Sequence, residues 1–529
     1  MSRQFIQLID HGMGVNIMDP SHLLPPNQYR RMKNCHSYQR GPAVKRRGTV
    51  AYNSTAISGI TRMAVGGLHR FYTLATVDKE LITAGAHTSN DKVYVENSSA
   101  NGFDELTGGS TLTLGQSYSF VTFRDTAFGT GTGLQSVFYH LRNTTTKANI
   151  EGSPAPPTGG LLEIHGDGEQ LYITMDSSNP GRVHYSNGGL FATLPTTLWH
   201  SSNFFDVARE QGDKVTGIAY WEGAMHLFTN RSIHVQTGIF GDDGDAGNHR
   251  ITDYTNVEGC DCPYSVAKTP YGVVYAGKNG IFLWTGGPRP SRISYNIQPI
   301  FDDSLDLETG WKRISVTNIE DFVGEYDKQR RQYRFSYTPT GESTQSVELV
   351  CQLDRVDQKG DRVWWGPYEG PEICAYAIQD GPGDDGRIMI ADPTEGKVFR
   401  YENGTNDDGS DINMVVKARD ALEPDVRLLK RIEEFQAEIE RHTGSSTLTL
   451  DTDFLTRTSQ FILANTAGTL WGDGLLWGTF NWASSGRERF NRHVKGLKGS
   501  HWSYKFEDTS QIDVSFIGLS MGLEALQPR

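Results

Sequence analysis

Three histidines, His184, His226 and His234, recur within short apolar runs of this chain, and three acidic stretches carry clustered carboxylates. The stretches are Asp242-Asp243-Gly244-Asp245, Asp380-Gly381-Pro382-Gly383-Asp384-Asp385 and the run from Asp407 to Asp411. Imidazole and carboxylate are the usual materials of acid–base catalysis, and clustered carboxylates can ligate calcium. None of the acidic runs has the spacing of an EF-hand loop with its closing glutamate, so each reads as a hydrated loop tip. The histidines sit within strand-like runs, where a hydrogen-bonded packing role is expected. No glycine-rich phosphate loop, HExxH or GxSxG is present, which removes the usual supports for nucleotide hydrolases, metalloproteases and α/β-hydrolases. No catalytic residue, cofactor or metal is assigned, and the expectation is a protein that is not an enzyme.

Two further groups could act by contact. Trp364-Trp365, Trp471, Trp477 and Trp482 could stack on sugar rings, or pack at an interface between subunits, where large aromatics are enriched. Trp471, Trp477 and Trp482 lie in or near a glycine-rich loop and are read as candidate interface residues. Near the N-terminus Arg30, Arg31, Lys33, Arg40, Lys45, Arg46 and Arg47 form a basic stretch with no acidic residue between them, on a chain whose net charge is −13. A basic arm on an acidic body is suited to docking on an acidic partner.

The elements that would carry these residues repeat. The clearest copy is 271–287, where Val273-Val274-Tyr275 and Ile281-Phe282-Leu283-Trp284 flank Gly277-Lys278-Asn279-Gly280. Two apolar runs about a turn of this kind predict a β-hairpin. Because the runs are apolar at consecutive positions, the sheet should be covered on both faces. Similar pairs are 80–83 with 93–95, 118–123 with 137–139, 171–174 with 183–185, 225–228 with 233–235, and 388–390 with 398–401. A longer unit of the same kind has expected strands at 331–337, 347–353 and 362–366. The step between copies is on the order of 45 to 50 residues, the size of a four-stranded propeller blade.

The expected fold is therefore all-β: a β-propeller of about six or seven blades over 49–404, with an extended N-terminal arm over 1–48 and a smaller C-terminal β domain over 405–529. A β-sandwich is the competing architecture. Four prolines, Pro20, Pro25, Pro26 and Pro42, argue against regular structure in the arm. The segment 427–441 fits a helix or a strand, and the turn residues 442–446 before Leu448-Thr449-Leu450 favour a hairpin.

Composition agrees with an all-β chain: 529 residues hold 58 glycines, 24 Phe, 22 Tyr and 10 Trp. The acidic balance argues against a surface that coats DNA, which needs clustered cations. Five scattered cysteines imply no disulfide framework, and Cys260-Asp261-Cys262 is too tight for a CxxC pair. No apolar run is long enough to span a membrane, and no secretory apolar core opens the sequence, so folding in a cytoplasm and no membrane insertion are expected.

Two stretches carry a resemblance. Asn16-Ile17-Met18-Asp19-Pro20, the pair Pro25-Pro26, Asn34-Cys35 and Arg46-Arg47-Gly48 resemble the opening of tail proteins of tailed bacteriophages. So does 266–301, where the Gly280-Ile281-Phe282 hairpin precedes Ile293-Ser294-Tyr295-Asn296-Ile297. The similarity is to the β-propeller nozzle or DNA-stabilisation proteins that close the tails of short-tailed phages. It implies a structural virion protein forming a ring, usually a homo-hexamer, below portal and adaptor proteins. Viral DNA would be retained above that ring and would cross it on ejection without specific binding. An acidic lumen would let DNA slide, and the basic arm could dock on an adjacent ring. The alternative is a propeller that binds or cleaves carbohydrate at a host surface.

Overall fold

The computed structural model describes residues 4–525 apart from 38–40, 54, 73–78, 98–101, 124, 134–136, 142–143, 151–156, 168, 189–198, 208–211, 246, 256, 380–385, 423–429, 441–444, 453–457, 465–486 and 495–496. The apolar pairs of the sequence become the middle strands of antiparallel sheets. In the 271–287 unit, Gly272–Gly277 pairs with Gly280–Trp284, and every residue of both strands is buried. Both faces are covered: on one, Tyr275 packs on Phe228 at 4.7 Å between ring centroids and Trp284 Nε1 donates to His226 Nδ1 at 3.1 Å, while on the other Val274, Ala276, Ile281 and Leu283 join the core that holds Tyr333. Burying side chains of this size contributes about 1.5–3 kcal/mol each.

Six sheets have four strands each and stand apart from one another, as propeller blades do. A seventh unit, Val323–Asp327, Gln332–Tyr337, Val347–Val356 and Arg362–Glu369, has the same form and heads a ten-stranded sheet. The innermost strands are Ile60–Tyr72, Tyr118–Phe123, Leu161–His165, Val215–Trp221, Ala267–Thr269, Val323–Asp327 and Ala375–Ile378. Each lies beside the next, and the last returns to the first, so the ring is closed. The 271–287 hairpin belongs to the fifth unit in chain order. The final blade takes its outermost strand, Thr49–Ala51, from the other end of the propeller sequence, where it pairs with Val398–Tyr401.

The arm differs most from expectation. Prolines do interrupt it, yet its short strands are woven into the fold. Gln4–Leu8 pairs with Ser515–Ala525, and Ala43–Lys45 pairs with both Cys35–His36 and that same late strand. Tyr29–Lys33 lies between Arg362–Glu369 of the propeller and Met414–Ala418 of the C-terminal part. One sheet thereby runs from a blade, through the arm, into His501–Asp508, Ser445–Thr452 and Thr458–Ala464. The arm at 1–48 is thus a structural strap, because many of its backbone groups find their partners in strands far along the chain.

Segment 427–441 is strand over Lys430–Glu440, with Ile432, Phe435, Ala437 and Ile439 buried. The expected hairpin with 448–450 does not form. Lys430–Glu440 pairs with Ser515–Ala525 and Arg487–His493, while Ser445–Thr452 turns to His501–Asp508.

A buried ionic cluster ties the sixth and seventh units together. Arg334 is 3.2 Å from Glu348 and also meets Glu402, while the hydroxyl of Tyr376 donates to Glu348 at 2.9 Å. Burial opposes ionisation of Glu402, but Arg334 and Arg330 outweigh it and hold its pKa at about 2.

Candidate functional site

The innermost strands enclose an axial cavity of about 830 Å³. Its polar residues come from the same strands that close the ring. His69 and Arg70 lie on Ile60–Tyr72, Glu163 on Leu161–His165, Lys268 on Ala267–Thr269, and Glu325 on Val323–Asp327. Trp221 ends Val215–Trp221 and supplies an aromatic wall, with its Nε1 donating to Thr269 O at 3.1 Å.

Lys268 is the one exposed residue of its strand, and because that strand is innermost, its ammonium faces the cavity. It reaches Glu163 Oε2 at 2.9 Å. The Glu163 carboxylate raises the Lys268 pKa, with Glu325 adding to it against the cost of burial. The Lys268 ammonium therefore stays charged at neutral pH. His69 Nε2 is 2.6 Å from Thr122 Oγ1, and burial lowers the imidazole pKa to about 4, so the ring there is neutral. Arg70 meets Glu96 at 2.9 Å. The cavity offers donors, acceptors and aromatic surface, with Lys268 and Arg70 each matched by a carboxylate.

A second cavity of about 410 Å³ lies among the fourth, fifth and sixth units. Its charges also pair: Lys214 with Glu320, and Lys278 with Asp261 at 3.8 Å. Among the described residues, no group of three or more His, Cys, Asp and Glu could hold a metal ion.

The three strand histidines have local partners. His184 meets Asp176 at 3.2 Å, His226 accepts from Trp284 and meets Trp221 O at 3.3 Å, and His234 bridges Asp253 at 2.7 Å and Ser232 at 2.8 Å. Of the acidic runs, Asp242 accepts from Gly188 N at 2.7 Å and Asp407 holds Arg46, whereas 380–385 lies outside the described residues. All five cysteines are free and buried.

The basic arm does not reach outward as expected. Arg30 is 2.9 Å from Glu308, Arg31 donates to Thr309 O at 3.1 Å, and Lys33 pairs with Glu369. Lys45 is 3.2 Å from Asp508, and Arg46 donates to Asp407 at 2.8 Å. Arg47 is exposed, and Arg40 lies outside the described residues. For Arg30, Lys33, Lys45 and Arg46 the acidic partner lies within this chain itself. Trp471, Trp477 and Trp482 also lie outside the described residues. Trp364 and Trp365 are fully buried, which removes them as a sugar platform. Trp221, which does face a cavity, went unnoticed in the sequence because a lone tryptophan before a Glu-Gly turn carries no pattern.

The two stretches that carry the phage resemblance meet in space. Ile17 N donates to Asn296 O at 2.8 Å, and the side chains of Gln28 and Asn296 both donate to Asp357 Oδ2, at 2.7 and 3.0 Å.

No family model and no curated protein sequence matches the chain. Solved structures do match, at low identity. PorZ, a bacterial surface component of the type-IX secretion system of Porphyromonas gingivalis, is 10% identical with a TM-score of 0.39, covering 76% of this chain and 59% of that one. YCF48 bound to a D1 peptide is 10% identical with a TM-score of 0.37, covering 68% and 95%. BBS1N in complex with ARL6DN is 11% identical with a TM-score of 0.36, covering 67% and 97%. The propeller assignment rests on the closed ring of blades described above.

Proposed function

We propose that the chain is a structural protein of a bacteriophage tail, assembling as a homo-hexameric ring through which packaged DNA is held and released. One observation carries this reading. The described cations of the arm, apart from the exposed Arg47, are bound within the chain, so the charge excess of −13 is not offset by a free basic tail. A double helix passing a protein of net negative charge would be repelled overall and would not be held by phosphate contacts. In this reading the conduit forms between copies of the chain and not along the propeller axis, where side chains line the cavity. Portal or adaptor rings and other tail proteins would be its neighbours.

Electron cryo-microscopy of the purified protein and of the particle tests this directly. The expected result is a six-fold ring in the tail and no shift of duplex DNA in a gel at low salt. A monomer with no ring in any particle overturns it.

A further inference from the structure

The axial cavity suits a ligand that the conduit reading does not require. Its volume, about 830 Å³, falls in the range of small-molecule sites. Two of its cations are matched, Lys268 by Glu163 at 2.9 Å and Arg70 by Glu96 at 2.9 Å, while Glu325 and Lys328 add one charge of each sign to the wall. At Lys268 and Arg70 a free phosphate would compete with a carboxylate already in place, and an amine at Glu163 would compete with Lys268. A sugar hydroxyl both donates and accepts, so it can bridge a lysine and a glutamate without disturbing either charge. Lys268 spends one of its three N–H donors on Glu163 and is 51% exposed, so donors remain to face the cavity. Trp221 and Tyr326 add aromatic surface on which the C–H face of a pyranose can lie.

From the matched Lys268–Glu163 pair, the Trp221 wall and the cavity volume, we infer that the propeller axis is a binding site for a short neutral saccharide. The site stands whether or not the chain forms a ring, so the two readings fail separately.

Calorimetric titration of the full chain with maltotriose, cellotriose and chitotriose, and with inorganic phosphate and spermidine as charged probes, tests it. Binding of at least one trisaccharide is expected, weakened at least about tenfold by Lys268→Met, with phosphate and spermidine silent. Lys268 is half-exposed but its partner Glu163 is buried, so a melting curve checks that the variant is folded and Lys268→Gln serves as a second variant. Trp221→Ala should also weaken binding, and Lys214→Met, in the second cavity, should not. Binding of none of the three sugars, binding unchanged in Lys268→Met, or preferential binding of phosphate or spermidine overturns the proposal.

Discussion

The guanidinium of Arg46 lies on the carboxylate of Asp407, with Nη1 2.8 Å from Oδ1, and the two side chains are 0% and 8% exposed. Arg46 also donates to the Glu369 carbonyl at 2.8 Å and to Asn34 Oδ1 at 3.0 Å. Burial works against its charge, but Tyr401 and Asp407 outweigh it and raise its pKa. The pair fastens the arm to the segment that follows the last blade. Removing one partner leaves a buried, uncompensated charge, so Arg46→Met and Asp407→Asn should each destabilise by about 3–5 kcal/mol. Arg46→Lys should recover only part of this, because an ammonium cannot make the forked contact. Urea unfolding of the three variants measures the order.

Deleting residues 1–51 removes the outermost strand of the last blade and the strand that joins the blade sheet to the C-terminal part. A free arm could be cut without effect. This strap, once cut, should leave a chain that is insoluble or melts well below the full-length protein in scanning calorimetry.

His11 and His36 are buried, and loss of hydration lowers their pKa from 6.5 to about 4 and about 3. In the unfolded chain both take a proton near pH 6.5, while in the folded chain they resist it. Stability is therefore complete above about pH 6.5 and falls as the pH drops toward 4, by up to about 2.7 kcal/mol per pH unit for two protons. Urea midpoints at pH 7, 6 and 5 should show the decline, and the double variant His11→Gln, His36→Gln should reduce it, leaving the share of other buried histidines such as His69.

Gly280 opens the second strand of the 271–287 hairpin with φ +143°, and a Cβ there would stand 2.5 Å from Ser294 Oγ. Gly286, just past that strand, has φ +78° and open space around it. Gly280→Ala should cost about 1–3 kcal/mol, combining strain with a clash, while Gly286→Ala should cost only the strain, about 1 kcal/mol. Equal losses in thermal unfolding would contradict the structure.

Burial raises the pKa of every cysteine, with Cys260 at about 12. A thiol reagent at pH 8 should label none of them in the native protein and all five in denaturant.

The parts legible in the sequence were those covered on both faces. Val273 to Tyr275 and Ile281 to Trp284 are apolar without alternation because blades lie on either side, and that pattern survives in a linear reading. The innermost strands are harder to see. They face a polar cavity, so His69-Arg70, Lys268 and Glu325 break their apolar runs. Thr126–Gly131 is wholly buried but, apart from Phe128, built from small residues, and it hid between the two strands the sequence had paired. The arm was the largest miss. Charge marked Arg30, Lys33, Lys45 and Arg46 as seekers of acidic partners, but nothing local reveals that Glu308, Glu369, Asp508 and Asp407 are those partners, hundreds of residues away.

The strand Tyr29–Lys33 has consequences for the order of events at the ribosome. One of its neighbours, Arg362–Glu369, emerges more than three hundred residues later, and the other, Met414–Ala418, later still. Gln4–Leu8 must wait for Ser515–Ala525, almost the whole chain. Blades one to five can close locally as they are made, whereas the strands at 4–8 and 29–33, made before them, are among the last to be seated. Emergence of 515–525, more than formation of any blade, sets the moment at which the molecule locks.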